Sequence, residues 1–383
     1  MEPGQNNSQE MVLYFSAEQA ANVTVTVRGR TATQVTNYVV PAGSVIPSNY
    51  MPKAGALDCR LYDVPPTFGG NGGEGIFNMS IHIESNVPIV AYAHTFGSTS
   101  SGATMLMPVE TYGYAYISLN SRQTYQPNCF SWAYVLATHD NTVVEIIPSV
   151  TTRLNKLPGV PFTVTLNKGQ IYQVIGGPEG ASTKSEVSGT KFKSIANAAG
   201  DCYPIAVFSG SSRTYNTISC GSGGGDNDNQ QCFPTQAWGK RYLTAPTSRS
   251  TAANQFMTNS YKILVKDPTT VVRRNGVIIP AGSLQQNSFY FFESNSADVI
   301  DADKPVMVAQ YMTGGGCMGG GVGDPEMIYI SPVEQGIKRI GFYRNTREAI
   351  QVNYLTLIIP NNGLPSLRID GSAVFNHSYP HPQ

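Results

Sequence analysis

The stretch Asn22-Val-Thr-Val-Thr-Val27 alternates apolar and polar side chains, the two-residue period of a strand with one buried face. Asn141-Thr-Val-Val-Glu-Ile146 and Ser260-Tyr-Lys-Ile-Leu-Val265 carry the same kind of β-branched and aromatic run further along the chain. Each is followed by a second strand and a tight turn: Val40-Pro-Ala-Gly-Ser44, Leu166-Asn-Lys-Gly-Gln170 and Ile279-Pro-Ala-Gly-Ser283. Pro and Gly supply the turn dihedrals. A third element is a Pro entering an apolar run, at Val87-Pro-Ile-Val-Ala91, Tyr203-Pro-Ile-Ala-Val207 and Lys304-Pro-Val-Met-Val308. Proline suits the first residue of a strand, where its missing N–H costs no ladder bond. A fourth is Met107-Pro-Val-Glu110, Phe233-Pro-Thr-Gln236 and Ser331-Pro-Val-Glu334, each leading to a strand with Tyr114, Tyr242 or Ile340.

The order is the same every time, which marks a repeat. Approximate copies run over 11–129, 130–247 and 248–345. Tyr354–Ile359 and Leu367–Gly371 then restart the pattern of Tyr261–Val265 and Val272–Gly276, so 346–383 reads as a partial fourth. A copy of about a hundred residues with about eight short strands fits two four-stranded blades or one small sandwich. The expected fold is all-β and β-propeller-like, built of about three two-blade units, hence six blades closed by strands from both chain ends. Tandem β-sandwiches are the alternative. No Pro- or Ser-rich linker separates the copies, so 1–383 reads as one array. Ala17-Glu-Gln-Ala-Ala21 is the single short helical candidate.

Composition agrees with this reading. Charged residues are 13% of the chain while Gly, Pro and Tyr number 38, 25 and 21, a balance of short strands, turns and uncharged polar surface that reads as secreted. The formal net charge is zero and like charges form no run, which argues against nucleic acid or an anionic membrane as partner. Apolar runs such as Val306–Met312 are strand-sized, far short of a membrane helix, and no membrane insertion is expected. Met1–Asn7 lacks the basic and apolar regions of a signal peptide, so any leader is expected to have been removed.

Six cysteines occur without a C-x-x-C pair, which disfavours zinc ribbons. Cys220 and Cys232 bracket a Gly- and Asp-rich stretch with almost no apolar side chain to hold it, and a disulfide between them would close that loop. Buried free thiols are the alternative. Asp226 and Asp228 in the same stretch offer alternating oxygen ligands of the kind calcium accepts, without the distal Glu of an EF-hand. A solvated turn is the competing reading.

The histidines His82, His94, His139, His377 and His381 show no metal-ligand spacing, no G-x-S-x-G elbow is present, and the glycine-rich loops lack phosphate-loop order. Glu110, Gln236 and Glu334 recur in every copy, and a residue repeated in each unit usually satisfies strand-end or turn amides, while chemistry occupies one asymmetric place. The loops 66–76, 209–232 and 312–326 are expected at related points of the repeat, gathered on one face with Phe68, Arg122, Arg213 and Tyr215 as candidate ligand-binding side chains. Aromatic and Arg side chains suit protein or glycan contact.

Ile81–His94, Met105-Leu-Met-Pro-Val-Glu-Thr-Tyr-Gly113, Pro204-Ile-Ala-Val-Phe-Ser-Gly-Ser-Ser-Arg213 and Gly323-Asp-Pro-Glu-Met327 together resemble the N-terminal domain of IgGFc-binding proteins, over nearly the whole chain. The resemblance is strongest to a bacterial branch of large secreted surface proteins of Bacteroidota. It implies PKD-type repeats downstream and a gliding-motility or type IX secretion sorting signal, so the chain would be a fragment of a larger protein. No catalytic residues are implied. The expected function is a non-catalytic extracellular or cell-surface binding and structural module, acting in adhesion or in filament and matrix assembly, with a protein or glycan partner and self-association through strand edges. A glycan- or mucin-binding lectin-like domain and a secreted carbohydrate-active enzyme on a propeller are the alternatives.

Overall fold

The computed structural model describes residues 9–61, 73–97, 100–123, 129–179, 185–214, 225–248, 255–285, 289–314, 325–347, 350, 353–375 and 377–382. In chain order the first copy supplies β1 (Glu10–Ala17), β2 (Ala21–Arg28), β3 (Thr33–Val40), β4 (Ser44–Pro47), β5 (Gly75–Phe77), β6 (Ser80–Ser85), β7 (Val90–Phe96), β8 (Ser101–Leu106) and β9 (Ala115–Ile117). The second supplies β10 (Ser131–Ala137), β11 (Thr142–Ile147), β12 (Phe162–Leu166), β13 (Ile171–Ile175), β14 (Lys191–Ile195), β15 (Ile205–Thr214), β16 (Asp226–Gln231) and β17 (Gly239–Leu243). The third supplies β18 (Asn259–Val265), β19 (Val272–Arg274), β20 (Val277–Ile278), α1 (Ala281–Gln285), β21 (Tyr290–Ser294), β22 (Val299–Tyr311) and β23 (Met327–Tyr329).

Strand pairing repeats with the sequence. The path β4-β1-β7-β8 in the first copy recurs as β13-β10-β15-β16 in the second and β21-β18-β22-β23 in the third. The path β3-β2-β6 recurs as β12-β11-β14 and β20-β19-β22, and in the last two cases the preceding copy adds its final strand, β9 or β17, at the edge. All of these ladders are antiparallel.

The chain divides into two compact units, Met1–Tyr215 with Gly225–Ala237 and Arg339–Tyr343, and Asn216–Gly224 with Trp238–Lys338 and Arg344–Gln383. Unit 1 holds four small sheets in a ring resembling a four-bladed β-propeller, two sheets from each of the first two copies. In unit 2 the two sheets expected of the third copy are one curled seven-stranded sheet. The cause lies in β22, which runs unbroken through Lys304-Pro305, and in β17, which pairs with both halves of it across a bulge at Gly239↔Val306 and Arg241↔Asp301. The second copy makes the same contact only as an isolated bridge, Gly113↔Ile205, and its two sheets stay separate.

Burial follows the alternation. Val23, Val25 and Val27 of β2 point inward with Leu13 and Phe15 of β1, while Asn22 and Arg28 face solvent. In unit 2 a second core gathers Tyr261, Ile263, Val272, Ile300, Val306 and Val308. A fully buried side chain of this kind is worth roughly 1.5–3 kcal/mol.

Several sequence expectations shift. Ser260–Val265 is the counterpart of β1 and β10, not of Asn22–Val27; the true counterpart of β2 is β19, a strand too short to show a period. Tyr116, not Tyr114, is the equivalent of Tyr242, because each hydroxyl accepts the amide N–H of the glycine three residues earlier, Gly113 at 2.8 Å and Gly239 at 3.0 Å. Ala17 and Ala21 end one strand and begin the next, leaving no room for a helix. The turns at Gly43 (φ +66°) and Gly169 (φ +78°) use the left-handed conformation glycine tolerates, whereas Pro280-Ala-Gly-Ser283 opens α1 instead. The restart after the third copy shows in the backbone: Asp370 and Gly371 (φ +50° and +81°) repeat the turn of Asn275 and Gly276 (φ +50° and +81°).

Candidate functional site

Of the three repeated Glx residues, Gln236 and Glu334 belong to joints between successive copies, while Glu110 is exposed in the turn Val109–Thr111. A Cβ on Gly113 would stand 2.5 Å from Pro234 Cβ, and one on Gly239 would stand 2.2 Å from Pro332 Cβ, so each glycine is a seat for the Pro of the next copy. Beside the seat, Lys240 donates its amide N–H to Glu334 Oε1 at 2.9 Å. Gln236 takes the corresponding place near Gly113, its Oε1 2.7 Å from where that Cβ would be. Both tyrosine hydroxyls of these joints are held un-ionised by burial, which lifts Tyr242 to about 12 and Tyr116 further.

Asp226 and Asp228 do not stand in a solvated turn. They lie in β16, whose sequence Asp-Asn-Asp-Asn-Gln-Gln is polar throughout and yet almost wholly buried. Both carboxylate oxygens of Asp226 accept the Ser101 amide N–H at 2.9 Å, and Oδ1 also accepts that of Asn227 at 2.6 Å. Asp228 Oδ1 accepts the Ser211 amide at 2.6 Å. Further along, Gln231 Oε1 accepts the Met107 amide, Thr104 Oγ1 accepts the Gln231 amide, and Gln230 Nε2 donates to Ala103 O. The polar strand therefore bonds β8 through side chains instead of a backbone ladder, tying together two sheets of unit 1. A Cβ at Gly102 would meet Asn227 Nδ2 at 2.6 Å, which is why the seam passes there.

Of the other sequence-derived candidates, Arg213 sits half-buried near the end of β15, between Ser211, which pairs with Asp228, and Thr214, which pairs with Asp226. Arg122 is exposed and forms an ion pair with Glu179. Cys232 is buried, with its Sγ 3.3 Å from Ser209 Oγ, while Cys220, Phe68 and Tyr215, and with Cys220 the expected disulfide, lie outside the described residues. Of the expected loop 209–232 both ends are strand, in β15 and β16, which leaves 215–225 as the connection; it and 312–326 follow the corresponding strands β15 and β22, but 66–76 falls between β4 and β6, whose counterparts are elsewhere in the repeat. No group of three His, Cys, Asp or Glu side chains suited to a metal ion occurs among the described residues.

Gln9, Asn120 and His94 complete the seam, and of these the sequence drew attention only to His94, as a histidine without metal-ligand spacing. Gln9 Nε2 donates to Ser100 Oγ at 2.7 Å. Asn120 Nδ2 donates to Ser131 Oγ, Trp132 O and Gly210 O, and its Oδ1 accepts from Ser188 Oγ. His94 is buried between Tyr14 and Phe96, with Nε2 3.0 Å from Ser101 Oγ. Desolvation drops its pKa to about 4, so the ring is neutral near pH 7. His94 Nδ1 has no hydrogen-bond partner, so the serine and imidazole lack the orienting acid of a hydrolytic triad. A polar residue in an otherwise apolar strand is the available signal for His94 in β7, whereas Asn120 lies beyond the end of β9 and carries none.

What the seam can do is position. It fixes the ends of β7, β8, β15 and β16, between which the related connections 97–100 and 215–225 emerge. Among the described residues no helix is long and apolar enough to cross a membrane. A search of the curated proteins finds no match for the chain. The family model described as IgGFc binding protein matches residues 102–383, most of the chain from the end of the first copy onward, and the protein belongs to that family of binding domains.

Proposed function

We propose that the chain is a non-catalytic extracellular module that binds a protein partner at a cell surface or in a matrix, through the connections that follow the Pro-led strand of each copy. The observation that carries this is a contrast within the repeat. Strand order, Gly-to-Pro seats and the Pro-x-Glx turns are kept from copy to copy, while the connection from β7 to β8 spans only 97–100, its counterpart 215–225, and the third 312–326. A constant scaffold with connections of changing length at one related position is how rigid β folds carry recognition. Membership of a binding family supports the same reading. Glu334 and its counterpart Gln236 are used in the joints, which supports a non-catalytic role.

The test is to replace 215–225 and 312–326, singly, by the short 97–100 sequence and measure binding by surface plasmon resonance to immunoglobulin Fc, a purified mucin and a glycan array. Loss of a saturable protein signal with an unchanged melting curve is the expected result. Binding to the array alone would move the reading to a lectin-like domain, and turnover of an arrayed glycan would move it to an enzyme.

A further inference from the structure

The partial fourth copy, in unit 2, keeps two elements of the repeat and lacks the one that joins them. Its hairpin is intact: Ile369 bridges Ser372 as Arg274 pairs with Val277, over the same backbone turn at Asp370-Gly371 and Asn275-Gly276. Its opening segment, 353–359, stands in the place of β1, β10 and β18. Each of those strands is hydrogen-bonded on both sides, β1 by β4 and β7, β10 by β13 and β15, β18 by β21 and β22. Among the described residues no backbone hydrogen bond reaches 353–359.

Burial marks the same gap. In β18 the side chains of Tyr261, Ile263 and Leu264 are at most 1% exposed, whereas Tyr354, Leu355, Leu357 and Ile358 are 40–49% exposed. The segment and the hairpin line one groove of about 490 Å³, with Leu357, Leu367, Ile369 and Val374 on its walls beside the edge-to-face pair of Phe256 and Tyr379. In the third copy the opening strand and the hairpin share one partner, β22, which pairs with β18 through 306–311 and with β19 through 300–302. In the first two copies the successive strands β6 and β7, or β14 and β15, do the same in two pieces. Both elements of the fourth copy therefore lack the same neighbour.

We propose that this groove receives an extended segment of a partner polypeptide with the chemistry of β22, a proline followed by an apolar run, which adds antiparallel to 353–359 and lies beside the hairpin. The wall selects a strand. Backbone N–H and C=O groups along 353–359 call for an alternating row of acceptors and donors, which an added strand supplies and a small apolar ligand does not. Two copies paired with each other through 353–359 would fill that row but leave the hairpin strand without the neighbour that β19 has. The segment carries neither a charge nor a proline, the devices by which native sheet edges refuse another strand. The groove is separate from the connections assigned above to protein recognition and stands whether or not that assignment holds.

The experiment titrates the intact chain with a synthetic peptide copying 303–311, Asp-Lys-Pro-Val-Met-Val-Ala-Gln-Tyr. The peptide should bind saturably and one to one by fluorescence anisotropy and should slow amide hydrogen exchange along 354–359. A peptide with Val306→Lys and Val308→Lys, and separately the protein variant Leu357→Lys, should each weaken binding by roughly tenfold or more, since charge replaces apolar contact. Leu357 is exposed, so that variant should keep the parent melting curve. Absence of saturable binding, equal binding of the charged peptide, binding that survives Leu357→Lys, or protection that appears at β18 and not at 354–359 would each overturn the proposal. So would a concentration-dependent dimer that protects 354–359 without peptide, which would give the groove to a second copy of the chain.

Discussion

Glu334 reaches back across 94 residues to accept the backbone N–H of Lys240 at 2.9 Å, with Pro332 seated on the bare Cα of Gly239 beside it. The pair turns a repeated acid into the lock between two copies. The joint has two parts of different cost. Glu334→Ala removes one hydrogen bond at an exposed position and should lower stability by about 1 kcal/mol. Glu334→Gln should be close to neutral, since the second copy carries Gln236 there. Gly239→Ala forces a methyl group to 2.2 Å from Pro332 Cβ and should cost roughly 1–3 kcal/mol through displaced packing. Urea unfolding of the three variants should show that rank; a Gly239→Ala protein as stable as the parent would remove the seat from the account.

Asp226 supports three hydrogen bonds from two buried amides. Asp226→Ala should therefore destabilise by roughly 1–3 kcal/mol, since the amides of Ser101 and Asn227 lose their acceptor inside the protein. Asp226→Asn should fall between, keeping one oxygen. Because the carboxylates of Asp226 and Asp228 already accept backbone amides, EGTA is expected to leave the melting temperature where it is; a fall on chelation would assign calcium to this strand after all.

His94 sets a pH response. Its ordinary pKa of 6.5 drops to about 4 on folding because burial disfavours the charged ring. The unfolded chain therefore binds the extra proton first, and stability is full above about pH 6.5, declines as pH falls through the interval, and stops declining below about pH 4. The loss is on the order of 3 kcal/mol from this group. His94→Phe, which keeps a ring between Tyr14 and Phe96, should flatten the denaturation midpoint between pH 6.5 and 4 relative to the parent.

The sheet edge at β6 gives a fourth expectation. β14 is paired on both sides, by β11 and β9, whereas β6 pairs only with β2 among the described residues. Amides of Ser80–Ser85 should exchange with solvent faster than those of Lys191–Ile195 at neutral pH. The same edge lies in the unit that also holds Arg339–Tyr343, where Arg339 bonds Glu18 and Tyr343 packs on Tyr14. Equal protection at the two strands would mean that β6 has a second partner in solution.

Residue patterns carried the repeated architecture well and the site poorly. Pro-led strands, Pro-x-Glx turns and the Asn-Gly or Asp-Gly punctuation are local, since proline and glycine dictate backbone dihedrals wherever they stand. The third copy was misaligned because the seven-residue β18 announces itself by alternation and the three-residue β19 cannot. The polar run of β16 read as a loop for a similar reason: propensity has no entry for a strand whose side chains replace the backbone ladder of its neighbour.

By itself the sequence determined an all-β chain of repeated copies and the turns at Gly43 and Gly169, because each follows from short-range dihedral preference and the two-residue period of a half-buried strand. Only the tertiary structure decided that β16 is a buried polar seam, that His94 is neutral, and that the third copy fuses its two sheets through β22. These depend on residues far apart in the chain and on desolvation, which the fold creates when it removes water from side chains whose identities alone do not say whether they are buried.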